Sequence, residues 1–302
     1  MTLSDFYKNI FDEKTYKLSL DAGCTCPNRD GTKGRGGCIF CSENGSGDFA
    51  SSSKLTVSAQ IENAKLKVIN KIKGRTGERK GKYIAYFQNF SSTYGDEETL
   101  LKKYKEALLC DGVEGLAVAT RPDCLSDRMI LELARIAEKH FVQLELGLQT
   151  SNEKTASFIN RCCTNEDYVS SVERIRKASP KIHIVTHLIF GLPGENRDDM
   201  EKSVRFVLAH NDGAVFGLKI TVLYVLKNTP LEKLYKSGEY LPLEKEEYYE
   251  LLKNALTLLP PQCILHRLTG DPPKSSVIAP LWTLDKKKVI NEIHSLLKEI
   301  IL

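Results

Sequence analysis

Four cysteines lie close together in the stretch CTCPNRDGTKGRGGCIFC, from Cys24 to Cys41. In a reducing compartment, clustered thiols point to a metal or redox site rather than to structural disulfides. Two chemistries fit the spacing. Cys24-x-Cys26 with Cys38-x-x-Cys41 can make a four-thiolate zinc site, in which Thr25 alone must bridge two ligands. Cys26, Cys38 and Cys41 by themselves can hold an iron–sulfur cluster, whose full set is four thiolates, so that one iron stays open. The glycines of the stretch let the backbone wrap such a group and turn N–H donors toward it. Cys110, Cys124 and Cys263 are isolated and read as ordinary buried or half-buried residues.

The rest of the chain supplies a repeating frame for this loop. KLSLDAG (17–23) alternates apolar and polar residues and runs into it. Segment 57–72 has helical apolar spacing, and KYIAYFQNF (82–90) has the aromatic and β-branched content of a buried strand. Helices follow at 97–109 and at 126–140, where Ser126 is an N-cap candidate. Strands are expected at 114–123, 141–150, 181–195 (ending in a turn) and 215–226, with helices at 165–179 and 197–211. Alternating strand and helix argues for a parallel sheet. Six such units without a dinucleotide fingerprint fit an α/β fold, a partial (βα)6 TIM-like barrel. In such barrels chemistry sits at the C-terminal strand ends. Those ends carry the unusual segments here: the cysteine loop, FQNFSSTY, ATRPD, LGLQT, IFGLPGE and LYVLKNTP. Residues 1–240 are taken as the core. Residues 241–302 are taken as a helical and irregular C-terminal extension packed on the barrel.

Hydrophobic residues make up 41% and charged residues 27% of the 302, the balance of a soluble globular protein. No apolar run reaches the roughly 20 residues of a membrane span. The opening MTLSDFYKNIFDEKTYKLSL is polar and lacks a signal-peptide core, so the expected location is cytoplasmic. A formal net charge of +4 does not by itself mark a nucleic-acid binder. Its distribution says more: KIKGRTGERKGK (71–82) concentrates basic residues, either as a solvated turn or as a loop that contacts phosphates.

The spacing Cys26-x11-Cys38-x2-Cys41, with Phe40 just before the last cysteine, resembles the cluster loop of the radical SAM superfamily. More closely, DAGCTCPNRDGTKGRGGCIFC resembles the YhcC/YtqA group, a branch related to the elongator catalytic subunit. The resemblance implies a radical SAM core with a 4Fe-4S cluster on Cys26, Cys38 and Cys41, Cys24 being spare. It implies S-adenosylmethionine chelated at the open iron, an electron donor not identified by the sequence, and cleavage to a deoxyadenosyl radical that abstracts a substrate hydrogen.

The same resemblance assigns cofactor contacts motif by motif. Phe40 would lie against the adenine. Gln88 and Asn89 stand where the superfamily contacts the methionine amine, although its usual Gly-Gly-Glu is absent here. Thr120 and Asp123 belong to ATRPDCL, which matches a third-strand TRPD motif. LELGLQT matches the fourth strand, with Gln149 as a ribose contact and Glu145 pointing to the same mouth. Arg161, twelve residues past Gln149, would pair with the S-adenosylmethionine carboxylate, which a guanidinium can bond bidentately. His187, just before IFGLPGE, would face the ribose. Where relatives carry Gly-His or a similar pair, this chain has Cys162-Cys163. One of these thiols, assigned to Cys163, is expected to face the substrate as a hydrogen-atom donor, an acid/base group or a second metal ligand.

Aromatic and cationic side chains near the strand ends suit a base taken out of its stack. These are Tyr94, Lys219, Tyr224 and Lys227, with His266, Arg267 and Lys274 from HRLTGDPPK (266–274), a segment able to close the mouth. The resemblance implies tRNA as the substrate. The YtqA-like branch is associated with wobble-uridine modification, converting a carboxymethylaminomethyl group to aminomethyl. A substrate carboxylate would want a cation, and Arg267 and Lys219 are the candidates. Two other readings stand beside this one: a radical SAM enzyme acting on another RNA base or a small metabolite, and a zinc-stabilised RNA-binding protein built on Cys24, Cys26, Cys38 and Cys41.

Overall fold

The structure, a computed structural model, describes residues 1–45, 47, 49–72 and 81–301. Lys73, Arg75, Arg79 and Lys80 of the basic run, and with them its expected phosphate contact, lie outside the described residues.

The chain opens with a helix, α1 (Leu3–Phe11), and a strand, β1 (Thr15–Leu20). The alternation then runs α2 (Val57–Ile72), β2 (Lys82–Phe87), α3 (Glu97–Leu108), β3 (Val113–Thr120), α4 (Asp127–Ala137) and β4 (Phe141–Gln149). It continues with α5 (Glu153–Phe158), α6 (Asn165–Ala178), β5 (Ile182–Phe190), α7 (Arg197–Ala209) and β6 (Phe216–Val222). The last part holds β7 (Val225–Leu226), α8 (Pro230–Lys236), α9 (Lys245–Thr257), β8 (Cys263–Arg267), β9 (Val277–Ala279) and α10 (Lys286–Ile301). Local chemistry sets several of these boundaries. Ser126 Oγ accepts from Met129 N at 3.0 Å and caps α4. Thr164 with Asp167, and Asn196 with Asp199, form reciprocal capping boxes at the starts of α6 and α7.

The main sheet has the order β1-β2-β3-β4-β5-β6-β8, and every neighbouring pair is parallel. This is the expected partial barrel with one addition. The sequence predicts six strands; the seventh comes from CILHR, inside the segment read as a polar, Pro-rich extension. Five residues between proline pairs are too few for a period to stand out, and the partners of β8 lie 47 or 48 positions earlier in β6. The helix α1 was also hidden, in an opening whose composition reads as merely polar.

Each strand alternates between two environments. Ala85, Phe87, Leu116 and Val118 pack under the helices in the main core. Ile84, Tyr86, Ala117 and Ala119 face the barrel interior, where Tyr7 and Phe11 of α1 meet Phe141 and plug the floor. The strand start is anchored there as well: Leu265 N donates to Met1 O at 2.9 Å beside β8. Among the described residues, no helix is long and apolar enough to cross a membrane.

Candidate active site

The cysteine loop lies at the C-terminal strand ends and is tied to several of them. Lys33 Nζ meets Asp123 Oδ2 at 2.6 Å, and Tyr94 OH lies 2.8 Å from Thr32 Oγ1. Asn160 Nδ2 donates to Arg35 O at 3.1 Å and Gly37 O at 2.8 Å, and Ile39 N donates to Ile159 O at 3.1 Å. Inside the loop, Arg29 donates to Cys41 O and Ser42 O at 3.1 and 2.6 Å. Gly37 has φ 78°, and a Cβ there would stand 2.9 Å from Arg29 Nε. The side chains around the mouth are held in costly backbone: Phe90, Gln149, Asn160 and Cys162 have φ of 53°, 63°, 56° and 53°. Left-handed non-glycine residues cost on the order of 1–3 kcal/mol each and cluster where geometry matters more than stability.

The loop thiols separate into two groups. Burial pushes the Cys38 thiol up to about 12, and the neighbouring Cys41 and Cys26 add to this while Arg121 opposes it. The three sulfurs therefore share one electrostatic neighbourhood. Cys24 belongs elsewhere. Burial also pushes its thiol up to about 12, but the charges next to it are those of Lys103, Asp21 and Cys124. Among the described residues, no three His, Cys, Asp or Glu side chains converge on a single metal ion. Three half-buried thiols on one loop, with a guanidinium and an amide N–H close to Cys38, form a donor set that suits an iron–sulfur cluster.

Several expected cofactor contacts are engaged inside the protein. All five N–H donors of Arg161 are used: Nε to Cys163 O, NH1 to Leu148 O and Thr150 O, NH2 to Glu153 and Asn165. The residue is 1% exposed. It knots the end of β4 to the starts of α5 and α6, and has no free fork for a carboxylate. Asp123 is held bidentately by Arg121 at 2.9 and 2.8 Å, in addition to Lys33. Thr120 is buried and bonded to Ser91 and Thr93 at 2.9 and 2.6 Å. Asn89 donates to Asp21 Oδ2 at 3.1 Å, and its buried Oδ1 has no partner among the described residues; Gln88 stands beside it, half-buried. The Gln149 amide lies 3.1 Å from the Leu148 and Gly147 carbonyls. Phe40 is half-buried against the second apolar cluster, with Ile159, Leu223 and Val225.

Cys163 is buried, its thiol is pushed up to about 12 by burial and Asp123, and its Sγ lies 3.9 Å from Thr164 O. The exposed member of the pair is Cys162, whose Sγ lies 3.2 Å from Asn160 Oδ1. Burial favours the neutral thiol of Cys163, the form a hydrogen-atom donor requires, over a thiolate.

Below the mouth, the barrel interior carries a charged layer centred on Glu145. Its carboxylate receives Lys17 Nζ at 2.5 Å, Tyr86 OH at 2.6 Å and His187 Nε2 at 2.8 Å, together with Lys219 and Gln143. The Tyr86 ring is flanked by both ammonium groups, 4.8 Å from Lys17 and 5.1 Å from Lys219. Tyr7 OH donates to Gln143 Oε1 at 3.1 Å and joins the floor to the layer. Arg267 is exposed and pairs in register with Lys219. His266 and His183 face each other, Nε2 to Nε2, at 2.8 Å.

Burial alone would raise the Glu145 carboxyl, but Lys17 and Lys219 outweigh it and hold it well below the usual range. Burial pushes Lys219 down, Glu145 pulls it back, and Lys17 and Arg267 push again, leaving it at about 7. Burial, followed by Lys219, brings His187 down to about 4. Of the other expected substrate residues, Tyr224 is packed on Gly270, and Lys227 Nζ donates to Ser275 O at 2.7 Å.

Comparison with known proteins agrees with this geometry. The Radical SAM superfamily profile matches residues 28–207, more than half of the chain, and the radical SAM C-terminal domain matches 215–299. The chain belongs to the radical SAM superfamily. The YtqA protein of Bacillus subtilis (strain 168) is 41% identical over 293 residues, covering 97% of this chain and 88% of its own. A tRNA uridine(34) acetyltransferase of Methanocaldococcus jannaschii is 26% identical over 163 residues, 54% of this chain and 29% of that protein. Among solved structures, the Elp3 of Methanocaldococcus infernus with its N-terminus deleted superposes with a TM-score of 0.64 at 17% identity, over 87% of this chain. This chain spans 58% of that structure, so the likeness is one of fold.

Radical SAM enzymes use a 4Fe-4S cluster and S-adenosylmethionine, and the loop of three thiols is where this member could hold the cluster. The layer beneath it was only partly anticipated. Glu145, His187, Lys219 and His266 come together, whereas Lys17, Tyr86, Gln143, His183 and Tyr7 were overlooked. A signal existed for most of them. Tyr86, Gln143 and His183 sit at the interior parity of strands that are otherwise mostly apolar, whereas Lys17 shares its parity with Thr15 and Ser19.

Proposed function

We propose that this radical SAM enzyme acts on tRNA, converting the carboxymethylaminomethyl group of a wobble uridine to aminomethyl in the cytoplasm. Cys26, Cys38 and Cys41 hold the cluster in this reading. When bound, the cluster and S-adenosylmethionine supply a one-electron cleavage that yields a deoxyadenosyl radical. The core, 1–240, presents the strand ends, and the extension, 241–302, completes the barrel with β8.

One observation carries the substrate assignment. Among the described residues, the interior layer sets Lys17 and Lys219 against the carboxylate of Glu145, with the exposed Arg267 beside Lys219. A buried cation without a counter-charge is expensive, so this arrangement favours an incoming group that brings a carboxylate. The wobble-uridine side chain before conversion is such a group, and the aminomethyl product is not. Lys219 and Arg267 then receive the substrate carboxylate, while Glu145 keeps Lys17 and His187 in place. The likeness to an enzyme that modifies uridine 34 of tRNA supports the choice of RNA.

The test uses anaerobically reconstituted, reduced protein with S-adenosylmethionine and tRNA carrying the carboxymethylaminomethyl nucleoside. Mass spectrometry of the digested tRNA should show its conversion to the aminomethyl nucleoside. Turnover of S-adenosylmethionine with the nucleoside unchanged would reject this substrate and favour another RNA base or a metabolite.

A further inference from the structure

The cysteine loop is held by two asparagines, and one of them, Asn28, also faces a thiol of the loop itself. Asn28 is fully buried, two residues after Cys26. Its Nδ2 donates to Asn160 O and lies 3.9 Å from Cys38 Sγ. A backbone carbonyl can only accept, so Asn160 O fixes which end of the amide is nitrogen. With both N–H bonds committed to that side, Oδ1 is buried with no hydrogen-bond partner among the described residues. An orphaned acceptor is costly, yet reversing the amide would set oxygen against oxygen at Asn160. Gly34 makes the arrangement possible, because a Cβ there would stand 2.2 Å from Asn28 Oδ1.

The orienting carbonyl is itself immobilised. Asn160 is in left-handed backbone, with φ 56°, and its own amide returns to Arg35 O and Gly37 O on the far half of the loop. The next two carbonyls, of Arg161 and Cys162, accept from Arg121 at 2.6 and 2.9 Å. Two asparagines therefore clasp the loop reciprocally, side chain to backbone in each direction.

We propose that Asn28 is a positioning residue for the cluster: its amide, oriented by Asn160 O, donates an N–H···S bond to the Cys38 thiolate and raises the reduction potential of the cluster. Hydrogen bonds to ligand sulfurs stabilise the more negative, reduced state, and outer groups of this kind tune metal centres. The proposal rests on Cys38 as a cluster ligand.

The experiment is a potentiometric titration of reconstituted protein, followed by electron paramagnetic resonance of the reduced cluster. Asn28→Asp keeps the shape, cannot donate from its carboxylate and adds negative charge, so its midpoint shifts to more negative potential. Asn28→Ser removes the amide without adding charge and shifts in the same direction by less. Asn160→Gly tolerates φ 56° and keeps its carbonyl, but loses the bonds to Arg35 and Gly37. Its midpoint stays at the wild-type value while iron leaves faster to a chelator. Unchanged midpoints in both Asn28 variants overturn the proposal.

Should the Asn28 variants take up no cluster, wild-type protein labelled with nitrogen-15 only in asparagine side-chain amides decides. Pulsed resonance shows a nitrogen coupling to the cluster if the bond exists, and its absence overturns the proposal. Wild-type protein that takes up no cluster, or a Cys38→Ala variant that loads normally, overturns the ligand assignment and the proposal with it. A normally loading wild type with unresponsive Asn28 variants overturns the proposal alone.

Discussion

Lys17 and Lys219 stand five strands apart in the sheet, yet both ammonium groups contact the carboxylate of Glu145. In a flat sheet, strands so placed would be about 24 Å apart at the usual spacing of about 4.8 Å. The curl of the half-barrel therefore creates this layer, and the layer in turn braces the curl from inside. The same convergence gives the interior its excess of positive charge.

Replacing Glu145 by Gln leaves the Lys17 ammonium without its carboxylate and removes the charge that pulls Lys219 back up to about 7, so that Lys219 turns neutral. Removing one partner of a buried ion pair costs about 3–5 kcal/mol. The urea midpoint at pH 7 should fall accordingly. Adding Lys17→Met and Lys219→Met to Glu145→Gln should restore most of it. A single variant with the wild-type midpoint would contradict the role given to Glu145.

Lys219 is held at about 7, so its charge is lost as pH rises through that value. As the receiver of a substrate carboxylate, it makes kcat/KM fall above pH about 7, and Lys219→Arg removes that limb because a guanidinium stays charged. Stability moves the other way. From about 7 up to the ordinary lysine value of 10.5, the unfolded chain binds a proton that the folded one does not, so folding gains with rising pH. A pH–rate profile unchanged by Lys219→Arg would remove this residue from the substrate contact.

His183 is buried and brought down to about 3 by burial and Lys17. Between the ordinary value of 6.5 and about 3, the unfolded chain binds the extra proton. Stability is thus lost as pH falls through this window, on the order of 2 kcal/mol at pH 5. Denaturation midpoints at pH 7 and pH 5 measure the loss, and His183→Gln should shrink the gap between them. An undiminished gap would place the acid sensitivity elsewhere, with His187, brought down from 6.5 to about 4, as the next candidate.

Arg161 is a structural knot here, so Arg161→Lys should lower stability by about 2–4 kcal/mol, since one ammonium cannot replace five directed donors. Affinity for S-adenosylmethionine should change by less than about threefold, well under the roughly 1.4 kcal/mol of a tenfold effect. A variant of normal stability with tenfold weaker binding would restore the carboxylate contact implied by resemblance.

Strand and helix order was legible because long periodic segments announce themselves, as 57–72 and 141–149 do. The cysteine loop was legible because few chemistries need that spacing. What stayed hidden depended on contacts between distant residues. β8 is a strand only because β6 offers it an edge, and nothing near Arg161 in the sequence shows that the Leu148, Thr150 and Cys163 carbonyls accept from its guanidinium. Lys17 read as an ordinary polar position in an alternating strand. Nothing local shows that β1 curls round to face β4.

The central claim is that this loop and barrel carry radical chemistry directed at tRNA. The most direct measurement is deoxyadenosine released from S-adenosylmethionine by the reconstituted, reduced protein, with and without tRNA lacking the mature wobble modification. The account predicts deoxyadenosine from wild type, none from Cys38→Ala, and several-fold more when tRNA is present. Cluster-loaded, reducible wild-type protein that releases none would contradict the account. Release indifferent to tRNA would leave the radical chemistry standing and contradict the substrate.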